Sequence, residues 1–306
     1  RNHTVGFMYP QNLTIRKSQT YGFVKKIRAQ DKYSSNFKIF HSKIKYDEQF
    51  FPLSGFDAIF IRSNPPIDPI MLNFLDSVKD DTFILNDING LRKANNKLYS
   101  ASFDDPNNEI IPVTYVSKNK EFLKSIILDS KKDKMILKPL QGFGGSGVIV
   151  LEKSAKQSIS SLLDFYITGK TETHYVIVQE FVEGVEEGDI RVLMLNGKIL
   201  GAYKRVPRSD DVRANLKVGA TAVKHQLTRR EKYIRESIGP KLVADGLYFV
   251  GLDLTNNKLI EINVISPGGI TKINKFNRVK LQRNVINFIE GVVSSKERAI
   301  HRKREL

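Results

Sequence analysis

Hydrophobic positions recur along this chain in short runs, and their spacing predicts strands alternating with helices. Val5 to Met8 is an apolar run stopped at Tyr9-Pro10. Phe23, Val24 and Ile27 fall on one face of a helix that would follow it. Ala58 to Ile61 and Phe83 to Leu85 read as buried strands. Between them Asp68-Pro69 supplies an N-cap and a first-turn proline for a helix through Met71, Leu72 and Leu75. A sheet with crossover helices follows, and ligands of such a sheet gather at the carboxyl ends of its strands. Arg62 sits at one of those ends, where a ligand contact and a surface arginine capping a strand fit equally well.

Further along, a helix is expected from Leu91 to Phe103, carrying Lys97 on a solvent-facing position, and another from Glu121 to Leu128. Met135 to Glu152 then reads as strand, glycine-rich loop, strand. Glycines at 142, 144, 145 and 147 let backbone N–H groups approach a phosphate closely. The loop lacks the Gly-Lys-Ser/Thr ending of a nucleotide-binding P-loop, and Val148 to Leu151 reads as strand where that motif and the dinucleotide fingerprint both need a helix. It is therefore a flap over a nucleotide or a plain hairpin. Lys138 ends the preceding strand and can point at phosphates.

Tyr175 to Gln179 is an apolar strand running into an acidic hinge at Glu180, Phe181 and Val182. Gly188 to Lys198 forms a hairpin about the Asn196-Gly197 turn, with Asp189 and Arg191 at its start. A polar loop from Arg205 through Arg213 and Asn215 is rich in phosphate-binding side chains. Thr228 and Glu231 make a capping box for a helix with Ile234, Ile238 and Leu242 on one face, closed by Gly246. The last segment, Leu252 to Gly269, alternates on both sides of Asn256-Asn257 and reads as two strands with a tight turn. Glu261 and Asn263 share a face. If the loop holds an odd number of residues, such as three at 256–258, Asp253 falls opposite Glu261 on that face. Two carboxylates and an amide would then suit a hard cation held by oxygens, with Mg2+ sharing its other positions with phosphates.

Composition narrows the picture. A chain of 306 residues, 41% hydrophobic and 27% charged, is long enough for two domains with their own cores. It has no cysteine, which excludes disulfides, thiolate metal sites and a cysteine nucleophile. No apolar run reaches membrane-spanning length and no signal-peptide pattern opens it, so a cytoplasmic protein is expected. The net charge of +16 suits nucleic acid or polyanionic substrates such as ATP. The basic residues are scattered apart from Arg298 to Arg304, and no nucleic-acid-binding motif is present, so anionic small substrates are the better account.

Taken in order, Lys97, Lys138-Pro-Leu, the glycine-rich flap, Gln179-Glu-Phe-Val, Gly188-Asp-x-Arg191, Arg205-x-Pro, Arg213-x-Asn215, Asp253 and Glu261-x-Asn263 resemble the ATP-grasp ligases. Within them the chain is most similar to the bacterial glutathione synthetase family, from Tyr9-Pro10 through Arg62-x-x-Pro-Pro-x-Asp68 to Asn263. The resemblance implies an α/β protein with an N-terminal doubly wound α/β domain at 1–116, followed by a two-lobed ATP-grasp domain at 117–295 and a basic tail at 296–306. The flap-bearing small lobe would be 117–182 and the metal-bearing lobe 183–295.

Carried over by motif, Lys97 and Lys138 match lysines that hold ATP phosphates, with Gly142, Gly144, Gly145 and Ser146 in the flap over them. Gln179, Glu180, Phe181 and Val182 match the adenine hinge, and Asp189 a nearby nucleotide contact. Arg191, Arg213 and Asn215 match polar residues around the reacting phosphate and carboxylates; Arg62, Arg205, Ser266, Gly268 and Gly269 fall where substrates are recognised. Asp253, Glu261 and Asn263 match ligands of Mg2+ or Mn2+. The implied chemistry activates the carboxylate of gamma-glutamylcysteine with ATP as co-substrate, after which glycine displaces phosphate; a homo-oligomer is also implied. Phosphoryl transfer of this kind asks for positioning and charge neutralisation rather than a protein nucleophile. Asn64 replaces the usual Asp, Ser266-Pro267-Gly268-Gly269 departs from Ser-Pro-Thr, and Gly219-Ala220 replaces a Gly-Gly pair. These departures keep other donors and acceptors open, and a non-catalytic ATP-binding scaffold or a nucleic-acid-binding protein are the rival readings.

Overall fold

A computed structural model describes residues 3–28, 36–142, 146–169, 172–207 and 219–304. The chain divides into two compact units, Arg1–Ile88 with Phe288–Leu306, and Asn89–Asn287.

The first unit holds β1 (Gly6–Phe7), β2 (Leu13–Arg16), β3 (Gln19–Ile27), α1 (Phe37–Lys43), β4 (Tyr46–Pro52), β5 (Ala58–Phe60), α2 (Pro69–Asp76) and β6 (Phe83–Leu85). β3 pairs antiparallel with β1, β2 and β4. The helix expected over Phe23, Val24 and Ile27 is thus a strand. Phe23 and Ile27 are four apart, a spacing that satisfies both a helical face and one face of a strand. What decides the matter is that Thr20 and Val24 are buried while Phe23 is exposed, the alternation of a sheet. β5 and β6 pair in parallel with α2 as their crossover. α2 starts where Asp68 accepts from the Ile70 N–H at 2.8 Å, and it buries Met71, Leu72 and Leu75.

The second unit opens with most of α3 (Ile88–Ala94), then α4 (Leu98–Ala101). The single helix expected from Leu91 to Phe103 is therefore broken. Asn96 Oδ1 accepts from the Leu98 N–H at 3.0 Å, offering the backbone an alternative to continuing the helix. The break leaves Lys97 between the two segments.

A four-stranded antiparallel sheet follows, ordered β7 (Thr114–Ser117), β10 (Val176–Glu180), β8 (Lys134–Pro139) and β9 (Ile149–Glu152). α5 (Lys120–Asp129) and α6 (Lys156–Ile167) bury Leu123, Ile127, Ile159 and Leu163 against Met135, Leu137, Val176 and Val178. Each such side chain contributes about 1.5–3 kcal/mol relative to exposure. Those strand residues share one face, so the alternate positions Thr114, Lys138 and Gln179 project from the other.

The second sheet has five antiparallel strands, β13 (Thr221–Lys224), β12 (Lys198–Val206), β11 (Asp189–Leu195), β14 (Phe249–Thr255) and β15 (Lys258–Asn263). α7 (Arg229–Ala244) carries the expected capping box and buries Ile234, Ile238 and Leu242. α8 (Ile270–Asn277) sets Ile273 against Leu193 and Tyr203, and α9 (Gln282–Arg304) ends the chain. No helix among the described residues is long and apolar enough to cross a membrane.

Candidate active site

One face of the five-stranded sheet changes character along its length. Leu193, Tyr203 and Ile273 close its apolar half. Beyond them, cross-strand register places Asp189 opposite Arg205, Arg191 opposite Tyr203 and Asp253, and Asp253 opposite Glu261. Directly opposed residues point to the same side, so these charges are gathered by backbone geometry alone.

The gathering reproduces the expected Asp253–Glu261–Asn263 group, but by a different route from an odd-length loop. Thr255 pairs with Lys258 across a two-residue Asn256-Asn257 turn, both residues having positive φ. The parity change comes from a bulge: Leu254 pairs with Leu259 while Asp253 pairs with Glu261, leaving Ile260 as the extra residue. Were the same residues paired without the bulge, Glu261 would oppose Leu252 and, with Asn263, face the other way.

Asp253 is the most heavily engaged carboxylate. Arg191 grips it with Nε at 2.5 Å and Nη2 at 2.9 Å, Arg205 Nη2 lies 2.9 Å from Oδ2, and Asn263 Nδ2 donates to it at 3.1 Å. Burial opposes its ionisation, but the two guanidinium groups outweigh burial and hold the carboxyl well below the usual range. Arg205 also forks onto Asp189, both contacts at 2.5 Å. Asp189 nonetheless moves up to about 6, because burial and the Asp253 charge exceed the pull of Arg205. Room for Arg191 comes from Gly251, where an added Cβ would meet the Arg191 Cδ at 3.3 Å and Pro267 at 3.1 Å.

Glu261 is different. Its side chain makes no hydrogen bond among the described residues, and the cation beside it is Lys97 Nζ at 3.9 Å. Its carboxyl is raised, first by burial and then by Asp253, against Lys97, Lys138 and Arg191. A half-buried carboxylate with open lone pairs beside a second carboxylate and an amide oxygen has the donor chemistry of a hard divalent cation site. Among the described residues no three His, Asp or Glu side chains converge, so such a site depends on Asn263.

Two lysines face Glu261. Lys138 is buried and donates to Gln179 Oε1 at 2.8 Å; Gln179 Nε2 donates to Thr114 Oγ1 at 2.7 Å, and that hydroxyl donates to the Pro112 carbonyl at 2.6 Å. Burial lowers the Lys138 ammonium to about 8, although Glu261 pulls it upward. Lys97 donates to the Gly142 carbonyl at 2.6 Å and is lowered by burial against the pull of Glu261. The expectation of a solvent-facing Lys97 fails because the helix breaks beside it; its side chain is 14% exposed.

The remaining residues are placed as follows. Gly142 (φ +132°) begins the flap and Ser146 is exposed at its far side, while Gly144 and Gly145 lie outside the described residues. Arg213 and Asn215 also lie outside them. Glu180 N–H bonds to Val113 O, and its carboxylate lies 3.3 Å from Lys132. Phe181 lies under Lys134, and Val182 is half-buried. Arg62, in the first unit, lies over the Phe60 ring, with burial lowering its pKa. The Gly268 carbonyl is 3.5 Å from Arg191 Nη1. A Cβ at Gly268 would meet no atom within 4 Å, whereas one at Gly269 would come 2.8 Å from Tyr203, so packing demands glycine only at 269. Ser266 adopts positive φ just before them. Thr114 was missed at the sequence level, since a threonine in a strand carries no signal of its own.

Comparison with known proteins finds relatives over nearly the whole chain. Residues 1–92 match the family model described as prokaryotic glutathione synthetase, N-terminal domain, and residues 96–278 the one described as prokaryotic glutathione synthetase, ATP-grasp domain. A glutathione synthetase of Gloeobacter violaceus is 35% identical over 249 residues, covering 78% of this chain and 74% of its own length. One of Bradyrhizobium diazoefficiens is 30% identical over 293 residues, covering 95% and 88%. Among solved structures, the D-cycloserine synthetase DcsG aligns with a TM-score of 0.58 at 16% identity, covering 79% of this chain and 85% of its own. The D-alanine–D-alanine ligase of Bacillus anthracis complexed with ATP aligns at 0.53 and 13% identity, covering 74% and 75%. At such identities the structural likeness speaks for the fold alone.

Proposed function

The chain belongs to the prokaryotic glutathione synthetases, ATP-dependent carbon–nitrogen ligases, and we propose that the charged face described above carries out its glutathione-forming reaction. The γ-phosphoryl group of ATP passes to the carboxylate of gamma-glutamylcysteine, and the amine of glycine then displaces phosphate from the acyl phosphate. The observation that carries this assignment is the convergence of Lys97 and Lys138 with Asp253 and Glu261 in one partly buried cluster.

In this reading Lys97 and Lys138 neutralise the phosphates, and the glycine-rich motif with Gly142, Gly144, Gly145 and Ser146 is assigned to phosphate binding. Gln179 orients Lys138, while the backbone of Glu180, Phe181 and Val182 serves the adenine and Asp189 the nucleotide. Asp253, Glu261 and Asn263 would hold Mg2+ or Mn2+, which would supply positive charge to offset that of the phosphates. Arg191 and Arg205 fix Asp253 between them and keep positive charge beside the transferring group. Arg62, Ser266, Gly268 and Gly269 recognise the substrates, and Arg213 and Asn215 are assigned to the acyl phosphate by their motif. By domain, residues 1–116 recognise substrate and lend Lys97 to the phosphates, 117–295 bind nucleotide and metal and lend Ser266, Gly268 and Gly269 to the substrates, and 296–306 form a basic tail. An ATP-consuming reaction of this kind belongs in the cytoplasm.

The test is ADP release measured with gamma-glutamylcysteine against glycine, alanine, serine and beta-alanine. Release is expected to require ATP, the divalent cation and the donor, and to be fastest with glycine. Release only with another carboxylate donor would overturn the substrate assignment while leaving the nucleotide site standing.

A further inference from the structure

α7 ends on an aspartate, and the helix itself gives no reason for one. A carboxylate at a helix C-terminus faces the negative end of the macrodipole and is disfavoured there. Asp245 is nevertheless held by donors from several segments, and its side chain is only 9% exposed. Lys93 Nζ lies 2.8 Å from Oδ1; the Tyr99 hydroxyl donates to Oδ2 at 2.8 Å and Lys241 Nζ at 2.9 Å. These donors, Lys93 foremost, keep its carboxyl down at about 2 against burial.

The backbone is fitted as closely as the side chain. A Cβ at Gly90 would come within 2.2 Å of the Asp245 carbonyl oxygen, so only glycine allows α3 to lie this near the end of α7. Lys241 also lies over the rings of Tyr99 and Phe103, at 5.6 and 5.7 Å from their centroids. Lys93 and Lys241 are substantially exposed, and exposed ion pairs add little to stability. What the cluster contributes is therefore geometry more than stability.

The geometry concerns Lys97. Lys93 on α3 and Tyr99 on α4 flank the helix break, and both are tied to the same carboxylate. Lys97, between them, sends its N–H to the Leu140 carbonyl at 3.2 Å and its ammonium to the Gly142 carbonyl at 2.6 Å. We propose that Asp245 is a positioning residue for ATP binding: it clamps both flanks of the helix break and so presents the Lys97 ammonium at the mouth of the flap. The proposal rests on the reading of Lys97 as a phosphate-binding lysine.

A double-mutant cycle on the whole protein tests it, with the dissociation constant of Mg–ATP measured calorimetrically in the absence of donor. Asp245→Asn is expected to weaken ATP binding about tenfold in the native background and less than about twofold in Lys97→Met. Tyr99→Phe, which removes one hydrogen bond and keeps the ring under Lys241, is expected to act in the same direction more weakly. Thr228→Ala, which disturbs α7 from its other end, should lower the melting temperature without changing ATP affinity. Equal losses from Asp245→Asn in both backgrounds, or equal losses from Thr228→Ala, would overturn the proposal and leave the function assigned above intact. Undiminished ATP binding in Lys97→Met would overturn both this proposal and the role of Lys97. If Asp245→Asn fails to fold, the same cycle run with Tyr99→Phe decides between these outcomes.

Discussion

Glu261→Gln is expected to lower kcat by about a thousandfold or more while the protein remains folded. The substitution keeps shape and removes one negative charge from the group that faces the transferring phosphate. Asp253 cannot take over, because Arg191, Arg205 and Asn263 crowd its Oδ2 and Arg191 Nε shares Oδ1, leaving it one further ligand position at most. A thousandfold loss corresponds to about 4 kcal/mol of transition-state stabilisation, within the range of preorganised electrostatic groups. Stability should move by less than about 1 kcal/mol, or about 2–4 °C in melting temperature, since opposing terms meet at this residue. Burial and Asp253 raise its pKa, while Lys97, Lys138 and Arg191 pull the other way. A group raised in this manner favours the folded state fully only below its ordinary pKa and loses that contribution as the pH climbs through the folded value. Glutamine escapes that loss but leaves the lysines without their partner. Calorimetric titration with Mg2+ and a nucleotide provides a readout besides turnover, and the variant should bind the pair more weakly. Full Mg2+-dependent activity in Glu261→Gln would remove this residue from the reaction.

Lys138→Met should reduce kcat/KM for ATP by about 10²–10³-fold, and the pH dependence of binding identifies the cause. The Lys138 ammonium is lowered to about 8 by burial, so at higher pH the free protein presents a neutral amine to the phosphates. Bound phosphate favours the charged form and draws a proton back. ATP binding is therefore expected to take up a proton between about pH 8 and 10.5, read as a buffer-dependent heat of binding that disappears in Lys138→Met. For the free protein the sign runs the other way. Charged Lys138 destabilises the fold below pH 8, and that cost is relieved as the pH rises toward 10.5, where the unfolded chain also loses its proton. Buffer-independent binding heats at pH 9 in the native protein would show that Lys138 does not meet the phosphates.

These effects depend on features that were unevenly visible in the sequence. Strand–loop–strand at 135–152 and the capping box of α7 were legible because turn and cap residues carry their own mechanism. β3 was not, because Phe23 and Ile27 suit two periods and only pairing with three neighbouring strands selects one. The pairing of Asp253 with Glu261 was legible as an outcome but not as a mechanism, since nothing in Lys258 to Glu261 marks Ile260 as the bulged residue. The grip of Arg191 and Arg205 on Asp253 lay beyond reach altogether. It joins residues 62 and 48 positions apart in the chain, and only strand order brings them together. Asp245 did offer a clue, an acid placed against the helix dipole, but no spacing connects it to Lys97.

The extra residue at Ile260 makes this hairpin depend on parity rather than on length. Two residues added at the Asn256-Asn257 tip leave every side chain of β14 and β15 on its present side. Ile260 kept but paired regularly with Asp253 would turn Glu261 and Asn263 toward the face that carries Leu252 and Leu254, and the reaction would be lost without a single functional side chain having been changed. Natural variation in this family is thus free to lengthen the tip in even steps, while the strand behind it tolerates the loss of the bulged residue but not a second regular pair in its place.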